Sequence, residues 1–180
     1  MTSPDPRGLV LVGPMGAGKT SIGKKAARAL GLAFIDTDAM IVREHGPIPE
    51  LFTTYGEAHF REIERAAVVD ALASGGVVSL GGGSVLDPRT RADLRAHRVA
   101  FLTVSLQTVA ARLRGSHRPL LAGDDPLERW QRIFDERLPL YEEVADATFD
   151  TSTGPVSAVV AAIVDWAGTA SVGVALEEDA

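Results

Sequence analysis

The chain contains no cysteine, which excludes disulfides and any cysteine-based metal centre. It has no apolar run that approaches a membrane span. It also lacks a basic surplus: 18 Lys and Arg stand against 24 Asp and Glu, for a net charge of −6. A sequence pI near 5.2 argues against a general nucleic-acid binder, which carries a basic surface. The four histidines show no metal-ligand spacing and receive no role. The opening residues, MTSPDPRG, hold no apolar segment of the kind a signal peptide needs. These absences fit a cytoplasmic enzyme that acts on neither nucleic acid nor membrane. What is present is ordinary for a globular protein: 46% hydrophobic and 23% charged residues in 180, enough for one domain with a real core.

The most informative stretch is GPMGAGKT, residues 13–20, between the apolar run LVLV and the helix-like SIGKKAARAL. Gly13, Gly18, Lys19 and Thr20 fill the spacing G-x-x-x-x-G-K-[ST] of the Walker A phosphate loop. Glycine packs nothing in a strand and weakens a helix, so several together need a reason. Gly16 and Gly18 let backbone N–H groups turn inward around phosphate oxygens. The helix that follows adds unpaired N–H groups and the positive end of its dipole. Lys19 supplies charge for the β- and γ-phosphates, and the Thr20 hydroxyl can ligate Mg²⁺. Residues Gly16, Ala17, Gly18, Lys19, Thr20 and Ser21 are therefore expected to bind nucleotide. A plain Gly-rich turn would not need the full order of strand, motif and helix.

Short β-rich runs alternate with longer helical ones. Strands are expected near 8–12, 33–36, 77–80, 99–104 and 147–150. Helices are expected over 19–30, 38–45, 57–73, 88–96, 106–113, 126–145 and 155–167. In the third helix, Phe60, Ile63, Ala67 and Ala71 recur at helical spacing and form a buried face. Strands separated by helices imply right-handed crossovers and a parallel sheet covered on both sides. Ligands of such folds gather at the carboxyl ends of the strands. The segment after Trp166 lacks a period and ends acidic, so a disordered tail is expected there.

Three further groups lie near those strand ends. Asp36 and Asp38 of FIDTDAM, two apart, face one way on an extended backbone. Such a pair could hold Mg²⁺ waters and accept a proton from an attacking hydroxyl, or one of its residues could simply cap the next helix. Gly81, Gly82 and Gly83 mark either a close backbone approach to a ligand or a loose turn. Ser79, at the end of the same strand, either helps position metal-bound water or packs in the sheet. The arginines Arg61, Arg118 and Arg137 would each pass for surface residues in isolation, Arg61 within an ion-pair ladder with Glu57 and Glu64. Beside a phosphate site they become candidates, because arginine grips carboxylate and phosphate in bidentate fashion.

In order, GPMGAGKTSIGKKAARALG, FIDTDAMI, GEAHFREIE, VVSLGGGSV, RPLLAG and ERLPLYEEVAD closely resemble shikimate kinase over residues 9 to about 150. The phosphate loop is shared with a large class, gluconate kinase included. DTD, FRxIE, GGG and RPLL in that order are the specific signals. The resemblance implies an α/β, three-layer P-loop kinase fold of the nucleoside monophosphate kinase-like type: a central five-stranded parallel sheet, helices on both faces and a mobile lid. It implies one domain over 1–168, with the lid near 114–124, a substrate-binding region near 37–65 and a tail over 169–180. It implies transfer of the ATP γ-phosphoryl to the 3-hydroxyl of shikimate, on the route to chorismate and the aromatic amino acids, by a monomer. Asp38 would bind the acceptor hydroxyls and act as base, with Lys19 and Arg118 as the other catalytic groups. Thr20 and Asp36 would hold Mg²⁺. Arg61 and Arg137 would hold the acceptor carboxylate, Glu64 would orient Arg61, and Gly81, Gly82 and Gly83 would line the acceptor. Arg118 would touch ATP from the lid. Many family members carry an arginine near the adenine at about the position where this chain has Thr153, so the resemblance leaves adenine contact to Arg112 or the lid. A kinase for another polyol acid such as gluconate, or a non-catalytic nucleotide-binding module, are the rival readings.

Overall fold

A computed structural model describes residues 8–113 and 125–173. Among them, five strands form one parallel sheet in the order β2-β3-β1-β4-β5. The strands are β1 (Leu9–Val12), β2 (Phe34–Asp36), β3 (Val77–Ser79), β4 (Arg98–Thr103) and β5 (Ala147–Asp150). Parallel neighbours cannot be joined by a tight turn, so helices carry the connections: α1 (Lys19–Leu30), α2 (Thr37–His45), α3 (Ile48–Ser74), α4 (Pro88–Leu94), α5 (Leu106–Leu113), α6 (Pro126–Val144) and α7 (Val156–Gly173). A short 3₁₀ turn, Ser84–Leu86, follows β3.

β1 is central, pairing with β3 on one side and β4 on the other. Its unbroken apolar sequence, LVLV, is what a strand buried on both faces requires. Alternate residues feed two cores. Leu9 and Leu11 join Ala100 and Leu102 against Ile22, Ala26, Trp130 and Ile163. Val10 and Val12 join Val78 and Phe101 against Val68, Ala71, Leu94 and Tyr141. The chain passes from β1 outward to β2, back through β3, and then across to β4. The phosphate loop thus leaves the sheet at the strand where the winding direction changes, where such folds bind their ligands.

All five expected strands are present, with ends shifted by a residue or so. Two helices differ from expectation. α3 begins at Ile48 rather than near 57, with Gly56 (φ 81°, ψ 170°) kinking it into two segments. The stretch IPELFTTY carries Pro and adjacent threonines, so its local propensity hides the first segment. Burial of Leu51 beside Ile41 and Phe60, in a third small core that Ile48 and Phe52 also join, holds it in place. α7 continues to Gly173, beyond the expected end near 167. Phe60, Ala67 and Ala71 are buried as their spacing implies, and Ile63 is half-buried.

Candidate active site

The sheet gathers the functional segments at one edge. Gly13 follows β1, α2 starts where β2 ends, and the Gly81–Gly83 run lies just past β3. Gly16 and Gly18 take φ of 84° and 87°, values a side chain would resist. α1 opens on Gly18 with no side-chain cap and no acidic residue in its first turn. By contrast, Asp36, Asp87 and Asp125 cap α2, α4 and α6. The first N–H groups of α1 and its positive dipole end are thereby left for an anion. Gly16, Gly18, Lys19, Thr20, Ser21, Asp36, Asp38, Ser79 and Arg112 line one cavity of about 360 Å³. Ala17, between them, is fully buried. Lys19 Nζ donates to the loop's own carbonyls, Gly13 O at 2.7 Å and Pro14 O at 3.0 Å.

The DTD segment is not extended as expected. α2 begins at Thr37, which puts Asp38 in the first helical turn. Capping and a place in the site prove compatible for Asp36. Its Oδ1 accepts from Ala39 N at 3.1 Å, and its Oδ2 accepts from Thr20 Oγ1 at 2.6 Å. The two expected metal ligands therefore touch. Thr37, between the aspartates, is buried; its hydroxyl accepts from Gly81 N at 3.0 Å and meets Ser79 O at 3.4 Å. It stitches the start of α2 to the glycine run.

A second cavity, about 260 Å³, is lined by Met15, Asp38, Ile48, Phe52, Phe60, Arg61, Glu64, Gly82, Gly83 and Arg137. Asp38 lines both cavities and marks their junction. The glycine run is tight rather than loose. A Cβ on Gly81 would lie 2.5 Å from Asp38 Oδ1 and 3.1 Å from Glu64 Oε1, and one on Gly83 would run into the Arg61 guanidinium. Packing against these charged side chains is a reason for glycine that local sequence does not reveal.

The two arginines of this cavity are held differently. Arg61 donates to Glu64 Oε2 at 2.7 Å and to Glu57 Oε1 at 3.0 Å. Burial lowers its pKa, but Glu64 and Glu57 outweigh that and leave it raised. Glu64 is buried and also accepts from Ser84 Oγ at 3.2 Å. Burial raises its carboxyl against the pull of Arg61, with the Asp38 charge adding to the rise. Arg137, buried on α6, lies beside the Tyr141 hydroxyl one turn on and pulls its pKa down against the rise that burial causes. Tyr141 Oη donates to Gly82 O at 2.6 Å. On the same face of α6, Trp130 Nε1 donates to Met15 O in the phosphate loop at 2.9 Å.

Arg112, expected beside the adenine, bridges the phosphate loop to the end of β5. It donates to Gly16 O at 2.7 Å, Thr151 O at 2.6 Å and Thr151 Oγ1 at 3.2 Å. Arg118 and the expected lid near 114–124 lie outside the described residues. Thr37, Trp130, Tyr141 and the apolar liners Met15, Ile48 and Phe52 were not singled out by sequence. For Trp130 and Tyr141 the spacing from Arg137, seven before and four after, was a usable signal.

A family model for shikimate kinase matches residues 15–167. The chain belongs to the shikimate kinase family. It is 48% identical over 161 residues to a shikimate kinase of Rhodococcus erythropolis, covering 86% of this chain and 94% of the relative. It is 50% identical over 159 residues to that of Saccharopolyspora erythraea, covering 87% and 91%. Among solved structures it resembles a shikimate kinase from Acinetobacter baumannii in complex with shikimate, with a TM-score of 0.86 and 32% identity over 93% of this chain and 96% of that one. A gluconokinase from Sinorhizobium meliloti, TM-score 0.66, covers 96% and 98% at 22% identity and shares the fold alone. The expected α/β P-loop kinase fold is thus met in the sheet, its helices and its neighbours.

Proposed function

We propose that this protein transfers the γ-phosphoryl of ATP to the 3-hydroxyl of shikimate, yielding shikimate 3-phosphate for the synthesis of chorismate and the aromatic amino acids. The observation that carries the reading is the junction of two cavities at Asp38, one built on the phosphate loop and one holding Arg61 and Arg137. Phosphoryl transfer needs positioning and charge neutralisation more than covalent chemistry. On this reading Arg61 and Arg137 grip the acceptor carboxylate, and Glu64 keeps Arg61 in place. Gly82 and Gly83 offer a wall without side chains. Asp38 accepts the proton of the attacking hydroxyl. Lys19 exchanges its bonds to the loop carbonyls for bonds to the β- and γ-phosphates.

The contact between the Thr20 hydroxyl and the Asp36 carboxylate supplies hard oxygen donors of the kind Mg²⁺ takes. Thr20 and Asp36 would hold Mg²⁺ there, and its charge would offset the negative charge of the phosphates. Arg112 closes the adenine side from its seat on Gly16 and Thr151. Use of ATP supports a cytoplasmic location.

The test is ATP turnover with shikimate, with gluconate, and without acceptor. Rapid turnover with shikimate alone is expected. Equal turnover with gluconate, or turnover indifferent to acceptor, would overturn the acceptor assignment.

A further inference from the structure

Tyr141 stands behind the acceptor cavity rather than in its wall. Its side chain is 1% exposed, and its ring stacks on Phe101 of β4 with centroids 5.1 Å apart. The hydroxyl meets two groups that do line the cavity: it donates to the Gly82 carbonyl at 2.6 Å and lies beside the Arg137 guanidinium, whose charge acts on it. Gly82 and Arg137 are themselves neighbours, since a Cβ on Gly82 would lie 3.7 Å from Arg137 Nη1. A hydroxyl is both donor and acceptor, so it can serve both at once. A carboxylate, the group that holds Arg61, could only accept.

That difference matters for charge. Arg61 is met by two carboxylates, Glu57 and Glu64, which offset its positive charge locally. Arg137 is met by a phenol, which carries none. Burial pushes that phenol up to about 12, against the opposing pull of Arg137, so it stays protonated and neutral through neutral and mildly alkaline pH. We propose that Tyr141 is a positioning residue that aims Arg137 and the Gly82 backbone at the acceptor carboxylate while leaving the charge of Arg137 unspent. This rests on the acceptor reading above.

The inference is tested with Tyr141→Phe, which removes one oxygen and keeps the ring stack. One net hydrogen bond implies a shikimate KM about three- to tenfold higher, with the ATP KM within about twofold. In an Arg137→Ala background, the further effect of Tyr141→Phe shrinks to within about twofold, because two changes on one interaction do not add. Phe101→Leu serves as the structural control: it loosens the ring stack but keeps the hydroxyl, so the melting temperature falls while the shikimate KM stays within about twofold. An unchanged shikimate KM in Tyr141→Phe would overturn the inference alone. So would an equal rise in the ATP KM, or a Phe101→Leu variant that matches the KM rise. Wild-type protein that turns over no shikimate would overturn the acceptor reading, and this inference with it.

Discussion

The two cavities meet at one aspartate yet are built by opposite means. The nucleotide side is mostly one contiguous stretch, residues 13–21, whose backbone does most of the work: two left-handed glycines, an uncapped helix start and a lysine resting on loop carbonyls. The acceptor side gathers charged side chains from α2, α3 and α6 around the glycine run, with Arg61 held by Glu64 of its own helix and the Gly82 carbonyl held by Tyr141 of α6. A backbone cradle tolerates change in neighbouring side chains but depends on its glycines. A side-chain cluster depends on every partner that fixes a rotamer. The two sides should therefore fail differently.

The largest effect is expected where the two sides join. Asp38→Asn should lower kcat about 10²–10⁴-fold, the usual cost of removing a general base, and should also raise the shikimate KM. If kcat held and only the ATP KM moved, Asp38 would belong to the nucleotide side alone. Lys19→Met should lower kcat roughly 10²–10³-fold while circular dichroism and melting temperature stay close to wild type. Comparable turnover by the folded variant would break the phosphate-loop assignment.

The next effect belongs to the acceptor side. Arg61→Ala and Arg137→Ala should each raise the shikimate KM roughly ten- to a hundredfold, the loss of a charge-assisted hydrogen bond, and the ATP KM much less. Lysine should rescue poorly at either site, because it lacks the planar fork. The methyl ester of shikimate should bind wild type weakly and lose little more in Arg137→Ala. Equal phosphorylation of ester and acid would rule out the carboxylate clamp.

Stability should separate the two arginines. Arg61→Ala strips Glu64 of the cation that opposes its raised pKa, so its carboxyl should titrate higher still. A folded pKa above the unfolded one contributes stability below the unfolded value and loses it as pH rises through the folded value. Arg61→Ala should therefore lose stability, relative to wild type, as pH rises above the ordinary carboxylate range, read as a widening gap between the two melting temperatures. Arg137→Ala should show no such trend. Parallel melting curves for the two variants would remove the distinction.

Smaller still is Trp130→Phe, which removes the donor to the Met15 carbonyl. Because Met15 lies in the phosphate loop and lines the acceptor cavity, both KM values should rise about three- to tenfold. A change in only one would mean that α6 serves the two sides separately. Asp87→Ala, far down this order, should cost about 1 kcal/mol through loss of the α4 cap and leave both KM values unchanged. The Asp87 carboxyl is held at about 2, chiefly by its Arg89 partner. The cap should persist above the ordinary carboxylate range and fade as pH falls toward that value.

The contrast between the cavities also explains what could be read without a structure. The phosphate loop was legible in full, because its order of strand, glycines, lysine and helix is local and each part has a local reason. Strand identities were legible for the same reason: a buried parallel strand writes itself as a short apolar run. The first segment of α3 was not, because Leu51 is held by burial against Ile41 and Phe60 rather than by propensity. Asp36 and Asp38 were found, but on the wrong backbone, since an alternating pair reads the same until the cap on Ala39 turns the chain into a helix.

By itself the sequence determined a P-loop kinase with a parallel sheet, and its motif order pointed to one family and its acceptor. Tertiary structure alone decided that Gly81 and Gly83 are small because Asp38, Glu64 and Arg61 press on them. It also decided that Thr37 ties α2 to that run, and that one face of α6 reaches both the phosphate loop and the acceptor cavity through Trp130, Arg137 and Tyr141. The physical reason is range. Phosphate is recognised by backbone groups adjacent in the chain, whereas a small organic anion needs charges from several directions, and only folding brings those together.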